Sequence, residues 1–270
     1  MVIFKKMHGL GNDFVVIDAT KEAIDLPAAR RQEIADRQRG VGCDQLLVMG
    51  PPEDKAADLF MRIYNPDGSE AGACGNGTRC VAHLWMGQNG KKECTVQTTA
   101  GLLKCAMAAN DMVKVDMGVP KLDWQDIPLA QECDTLHLGI AGGALNDPVA
   151  VNVGNPHVIF FVDDVKAVDV PGLGPQVENH VLFPQRTNVE FAQVLASDKI
   201  RVRVWERGTG VTQACGSGAC ATMVAAVRRG LTARAAEVIL DGGSLHMEWR
   251  ADDDHILMTG PVAYVFEGSL

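Results

Sequence analysis

Two cysteines stand in nearly identical settings in opposite halves of the chain, Ala73-Cys74-Gly75-Asn76-Gly77 and Ala214-Cys215-Gly216-Ser217-Gly218. Each precedes an apolar run that predicts a buried helix, over 78–86 and 219–227. A thiol at a glycine-rich helix start meets unpaired backbone amides and the positive end of the helix dipole, both of which favour the thiolate. Two equivalent acid/base groups suit one kind of reaction, inversion of an amino-acid Cα. One group takes the proton from one face while the other delivers a proton to the opposite face, and the roles exchange in the reverse direction. With each sulfur about 3–3.5 Å from the carbon, the two stand roughly 7 Å apart. That is beyond the reach of an S–S bond.

The α-proton is weakly acidic, so without a cofactor the carbanion needs amide donors aimed at its carboxylate in a dry cleft. The backbone N–H groups of Gly75-Asn76 and Gly216-Ser217 are in the right place for this. Glu206 can hold an ammonium, and the neighbouring Arg207 a carboxylate in bidentate fashion; a solvated surface pair is the plainer reading. Asn12, Gln45, Asn65, Asn155 and Asn188 sit at turns or strand ends where amides can read polar groups. Each asparagine can equally be a turn residue bonded to its own backbone. His157 is placed either to tune a nearby thiol or to serve as a satisfied structural histidine. Pyridoxal chemistry is disfavoured, because no lysine lies in a persuasive glycine context and no phosphate-binding fingerprint is present.

The elements that must position these residues occur twice. The cysteines are 141 residues apart, and the same offset relates Asn65 to Glu206, each ending a run of period two expected of a strand, 58–64 and 199–205. Gly11-Asn12-Asp13-Phe14 and Gly154-Asn155-Pro156-His157 lie 143 apart, each leading into an apolar strand-like run. Two domains of like topology are expected, over 1–118 and 119–261, with 119–134 as the linker and the ligand at the seam. Further strands are predicted over 46–49, 94–98, 102–107, 113–117, 135–138, 149–153, 189–194, 237–240, 245–249 and 255–258. Further helices are predicted over 28–38 and 176–181. The balance is strand-rich α+β.

Bulk properties exclude several classes. A chain of 270 residues can build two modest cores, and 47% hydrophobic with 22% charged residues is the make-up of a soluble globular protein. A net charge of −9 argues against nucleic acid as a partner. No apolar stretch approaches the roughly 20 residues that span a bilayer, and the N-terminus lacks a signal or transit pattern, so no membrane association and a cytoplasmic location are expected. The eight cysteines are scattered, and Cys74/Cys80 and Cys215/Cys220 lack common zinc spacing. No metal is expected, and Cys80 and Cys220 read as small apolar residues inside their helices.

The ordered motifs Met7-His-Gly-Leu-Gly-Asn-Asp-Phe14, Asn65-Pro-Asp-Gly-Ser-Glu-Ala-Gly-Ala-Cys-Gly-Asn-Gly-Thr-Arg-Cys80, Gly154-Asn-Pro-His157, Arg186-Thr-Asn-Val-Glu190 and Glu206-Arg-Gly-Thr-Gly-Val-Thr-Gln-Ala-Cys-Gly-Ser-Gly-Ala-Cys220 together resemble the diaminopimelate epimerases. The resemblance implies a cofactor-independent enzyme that interconverts LL- and meso-diaminopimelate, in lysine and peptidoglycan synthesis. It implies Cys74 and Cys215 as the acid/base thiols, and His157 and Glu206 as groups that modulate them. Substrate contacts would fall on Asn12, Gln45, Asn65, Gly75, Asn76, Asn155, Asn188, Glu206, Arg207, Gly216 and Ser217. The implied fold is two pseudo-symmetric domains, each a curved, mostly antiparallel sheet wrapped around a central helix, with a final strand over 262–270 returning to the first. A homodimer is implied too, although Phe266 replaces a tyrosine often found at the dimer contact. The rivals are a proline or hydroxyproline racemase, whose first loop resembles Cys-Gly-His-Gly where Asn76 stands here, and a thiol redox or metal-binding protein without isomerase activity.

Overall fold

The computed structural model describes residues 1–140 and 145–270. The chain forms two compact units, one of residues 1–116 with 259–270 and the other of residues 117–258.

The first unit runs β1 (Ile3–Gly9), β2 (Asn12–Asp18), α1 (Ala28–Ala35), β3 (Gln45–Gly50), β4 (Leu59–Tyr64), β5 (Glu70–Ala71), α2 (Gly75–Asn89), β6 (Glu93–Thr98), β7 (Gly101–Met107) and β8 (Val113–Asp116). The second runs β9 (Val149–Asn152), β10 (Pro156–Phe161), α3 (Val170–Glu178), β11 (Asn188–Ala196), β12 (Lys199–Glu206), β13 (Gly210–Thr212), α4 (Gly216–Arg228), β14 (Ala235–Leu240), β15 (Gly243–Trp249) and β16 (Ile256–Gly260). β16 carries the chain back into the first unit, where β17 (Ala263–Ser269) pairs antiparallel with β1.

The two units repeat one wiring. β1–β2 and β9–β10 are antiparallel, and β2–β3 and β10–β11 parallel. β3–β4 and β11–β12 are antiparallel, and β4–β6 and β12–β14 parallel. A parallel pair needs a crossover: α1 and α3 supply it for the first parallel pair of each unit, α2 and α4 for the second. Helix α2 packs on β1, β2, β3, β6, β7 and β8, and α4 on β9, β10, β11, β12, β14 and β15, so each sheet wraps its crossover helix. This explains why both helices are buried over most of their length; Cys80, Val81, Ala82, Cys220, Ala221, Met223 and Val224 are completely buried. Those two cysteines pack as small apolar residues.

Several local expectations change. Residues 135–138 form a turn, not a strand, because the Asp134 carboxylate accepts the Leu136 amide at 2.8 Å and offers the backbone a local alternative. Helix α1 stops at Ala35, since Asp36 accepts the amides of Gln38 and Arg39 and turns the chain. Helix α3 lies at 170–178, ahead of the expected 176–181. Asp169 caps it by accepting the Gly172 amide at 3.2 Å, and Pro171 pre-sets its first turn. Nor is 119–134 a linker: Ile127 and Leu129 are buried in the second unit's core beside Val158, Phe160 and Phe191.

Candidate active site

Each crossover helix begins on its cysteine. Cys74 is the N-cap of α2, its Sγ accepting the Gly77 amide at 3.3 Å; Cys215 is the N-cap of α4, its Sγ accepting the Gly218 amide at 3.4 Å. The sulfur thus takes the place that a serine or aspartate oxygen takes in an ordinary cap. Gly75-Asn76 and Gly216-Ser217 are the first two helical residues, whose amides have no partner within the helix. Little space is left for a side chain at the glycine one turn in. A Cβ on Gly77 would meet Leu47 Cδ1 at 3.0 Å, and one on Gly218 would meet Glu190 Oε1 at 2.7 Å.

In the first unit, Asn12 opens β2 and reaches this helix start. Its Oδ1 accepts from Asn76 Nδ2 at 3.2 Å and lies 4.0 Å from the Cys74 thiol. Its Nδ2 donates to Asp44 Oδ2 at 2.9 Å, which ties it to a charge network. There Asp13 pairs with Lys6 and, at 2.6 Å, with Arg37, which also bridges to Asp44 at 2.7 Å. Burial pushes Asp13 up, but hydrogen bonds from Arg37 and Lys6 and their charges outweigh it and hold the carboxyl at about 2. Gln45 and Asn65, at the start of β3 and just past β4, bond to each other at 3.1 Å.

In the second unit, Asn155, His157 and Glu190 form a chain. Asn155 Oδ1 is 2.9 Å from His157 Nε2, and His157 Nδ1 is 2.7 Å from Glu190 Oε1. Asn188 donates to the Pro156 carbonyl at 2.9 Å and accepts the Arg207 amide at 2.9 Å, fixing the end of β12. Glu206 accepts from Thr212 Oγ1 at 2.6 Å, and Ser217 Oγ stands 3.5 Å from the Cys215 sulfur. The half-buried Arg207 donates from its guanidinium to the Gln185 carbonyl at 3.0 Å.

The electrostatics at Cys215 differ from the helix-start expectation. Burial, then the carboxylates of Glu206 and Glu190, push its thiol well above the ordinary range, and the Ser217 and Gly218 hydrogen bonds only partly oppose this. Glu206 is itself raised, chiefly by burial. Cys215 therefore rests as a thiol.

Sequence reasoning overlooked Glu190 as a site residue. It sits inside an apolar strand run and is completely buried. The one available signal was its parity with Asn188 on the same strand. Among the described residues, no three His, Cys, Asp or Glu side chains are grouped to hold a metal ion.

The family described as diaminopimelate epimerase matches residues 4–122 and 149–265. The diaminopimelate epimerase of Rhodospirillum centenum is 60% identical, covering 99% of this chain and 91% of the relative. That of Acidiphilium cryptum is 55% identical, covering 99% and 95%. Among solved structures, a hydroxyproline epimerase from Agrobacterium vitis superposes with a TM-score of 0.70 at 15% identity, over 99% of this chain and 91% of that one. A phenazine biosynthesis protein of the PhzF family from Bacillus anthracis gives 0.68 at 16%, over 99% and 98%. At such identities these two neighbours establish the fold.

Proposed function

This chain belongs to the diaminopimelate epimerase family, and we infer that it interconverts LL- and meso-2,6-diaminopimelate by a two-thiol proton transfer that needs no cofactor. The observation that carries this reading is the pair of N-cap cysteines, set at equivalent points of a repeated fold, each sulfur resting on a helix-start amide. One sulfur, as thiolate, takes the Cα proton; the other, as thiol, delivers its proton to the opposite face. Each turnover leaves the protonation states exchanged, ready for the reverse direction. Because Cys215 rests as a thiol, it is the donor in the direction that starts from this state. The amides of Gly75, Asn76, Gly216 and Ser217 stabilise the carboxylate as negative charge spreads onto it. Asn12, Gln45, Asn65, Asn155, Asn188, Glu206 and Arg207 hold the two amino-acid ends, and His157 and Glu206 modulate the two thiols.

The working form is a homodimer in the cytoplasm. Ile3, Tyr264, Val265 and Phe266 are exposed apolar side chains on the paired β1 and β17, where Phe266 packs edge-on against Phe4 at 5.9 Å. Among the described residues no helix is long and apolar enough to cross a membrane.

The test is incubation in heavy water with LL-diaminopimelate and, separately, L-proline. Deuterium should enter the inverted Cα of diaminopimelate alone; entry only into proline would overturn the substrate. Cys74→Ala and Cys215→Ala should each lower the rate by at least about 10²-fold, whereas Cys80→Ala should chiefly cost stability. Equal catalytic loss at all three positions would contradict these roles.

A further inference from the structure

The turn that carries Glu206 and Arg207, between β12 and β13, is clasped by one side chain of α3. Glu178 is the last residue of that helix and is only 4% exposed. Its Oε2 accepts from Trp205 Nε1 at 2.7 Å. Its Oε1 accepts the Gly208 amide at 2.9 Å and Arg186 Nη1 at 3.1 Å. Trp205 and Gly208 flank Glu206 and Arg207 in sequence, so one carboxylate holds the chain on both sides of that pair. Arg186 stands two residues before Asn188, whose Oδ1 accepts the Arg207 amide at 2.9 Å. Burial and the negative end of the helix dipole both disfavour a carboxylate at this position. Two of the residues it holds have left-handed backbone, Arg186 at φ 60° and Gly208 at φ 75°. At Arg186 that conformation is uncommon for a side chain and lasts only where the surroundings impose it.

The first unit holds its equivalent turn with the opposite polarity. The 141-residue offset that relates Asn65 to Glu206 also relates Tyr64 to Trp205. There α1 grips the turn between β4 and β5 with donors. Arg31 Nη1 donates to the Gly68 carbonyl at 3.1 Å, and Gln32 Nε2 to the Asp67 carbonyl at 2.6 Å. The Arg31 guanidinium also lies over the Tyr64 ring, 3.9 Å from its centre. In each unit, then, the first crossover helix fastens the turn after the fourth strand, where site residues stand. Its recurrence with different chemistry ties the grip to the turn and not to any one contact.

We propose that Glu178 is a positioning residue for substrate binding, setting Glu206 and Arg207 in place before diaminopimelate arrives. It acts through Trp205, Gly208 and Arg186. A turn fixed beforehand loses no further freedom when the substrate binds, which raises affinity without any new contact. An amide cannot stand in for this carboxylate, because both of its oxygens accept N–H groups. In Glu178→Gln the new NH2 faces a donor in either orientation, so either the Trp205 bond or the Gly208 bond is lost. This deepens the functional reading above and rests on Glu206 and Arg207 contacting the substrate.

Steady-state kinetics of Glu178→Gln with LL-diaminopimelate test this. KM should rise at least about fivefold, and by more than kcat falls, as lost binding requires. A carboxylate with only a structural role would lower the urea midpoint and leave KM unchanged. A smaller rise in folded Glu178→Gln, or a loss confined to kcat, therefore overturns the proposal. Should that variant not fold, Trp205→Phe keeps a ring and drops the indole donor. KM should rise there too, by at least about threefold, and a wild-type KM overturns the proposal. In the wild-type protein the Gly208 amide should exchange slowly with solvent; exchange at the rate of an open loop also overturns it. If the wild type places no deuterium in diaminopimelate, the functional reading fails instead, and protection of the Gly208 amide is untouched. The two failures are distinct.

Discussion

Cys74 and Cys215 share a local design and differ in their surroundings, and thiol chemistry measures the difference. Cys215 is only 5% exposed and is held protonated by burial and two carboxylates, whereas Cys74 is partly exposed. Alkylation by iodoacetamide at neutral pH, followed by mass spectrometry, should therefore label Cys74 well before Cys215. Cys80, pushed up to about 12 chiefly by burial, should stay unlabelled until the protein unfolds. Asp13 makes a second prediction. Its carboxyl is held at about 2 against an ordinary value of 3.8, so its folded pKa is depressed. Its contribution is present above pH 3.8 and is lost as the pH falls through about 2. Asp13→Asn should cost roughly 2 kcal/mol at pH 7, read by urea unfolding, and the gap from wild type should close at the acid end. At this scale the thiols and amides could be read from the sequence because their glycine-rich settings are repeated. Glu190 could not, since a carboxylate inside a strand shows its burial only once the face is known.

Among the elements, the long apolar helices and the alternating strands could be read because burial dictates their period. Three of the misreadings share one cause, an aspartate whose carboxylate binds nearby amides. Asp134 replaces a strand with a turn, Asp36 shortens α1, and Asp169 starts α3 earlier than its proline-rich sequence suggests. The stretch 119–134 looks like a connector because it lacks periodicity, yet single residues such as Ile127 still reach the core. Contact between elements yields a further prediction at α3. A Cβ on Gly174 would lie 2.4 Å from Trp205 Cγ and 2.8 Å from its Cβ, and the indole is anchored by its Nε1–H donating to Glu178 at 2.7 Å. Gly174→Ala should destabilise the protein by about 1–3 kcal/mol despite its better helix propensity. A urea midpoint at or above wild type would show that β12 can yield.

For the molecule as a whole, the first unit is built from both ends of the chain and the second from one continuous stretch. Removing residues 262–270 strips β17 from β1, and with it the Phe4–Phe266 contact and the hydrogen bond between His83 and Tyr264 at 3.1 Å. Hydrogen exchange should then show lost amide protection in β1 and β2 while β10, β11 and β12 keep theirs. Uniform loss throughout would show that the units unfold as one. The duplication itself could be read from the offset between motifs, but the pairing of first strand with last has no local signal.

That pairing has a consequence for synthesis. Ile3 lies opposite Ser269, and the Leu270 amide donates to the Val2 carbonyl at 2.9 Å. A ribosome releases the second unit's last strand residues before the first unit has its closing one, so the second unit can fold while the first still waits for β17. Joined termini would also cost little, and a circular permutant opened in an exposed turn would make the first unit contiguous and let it mature first.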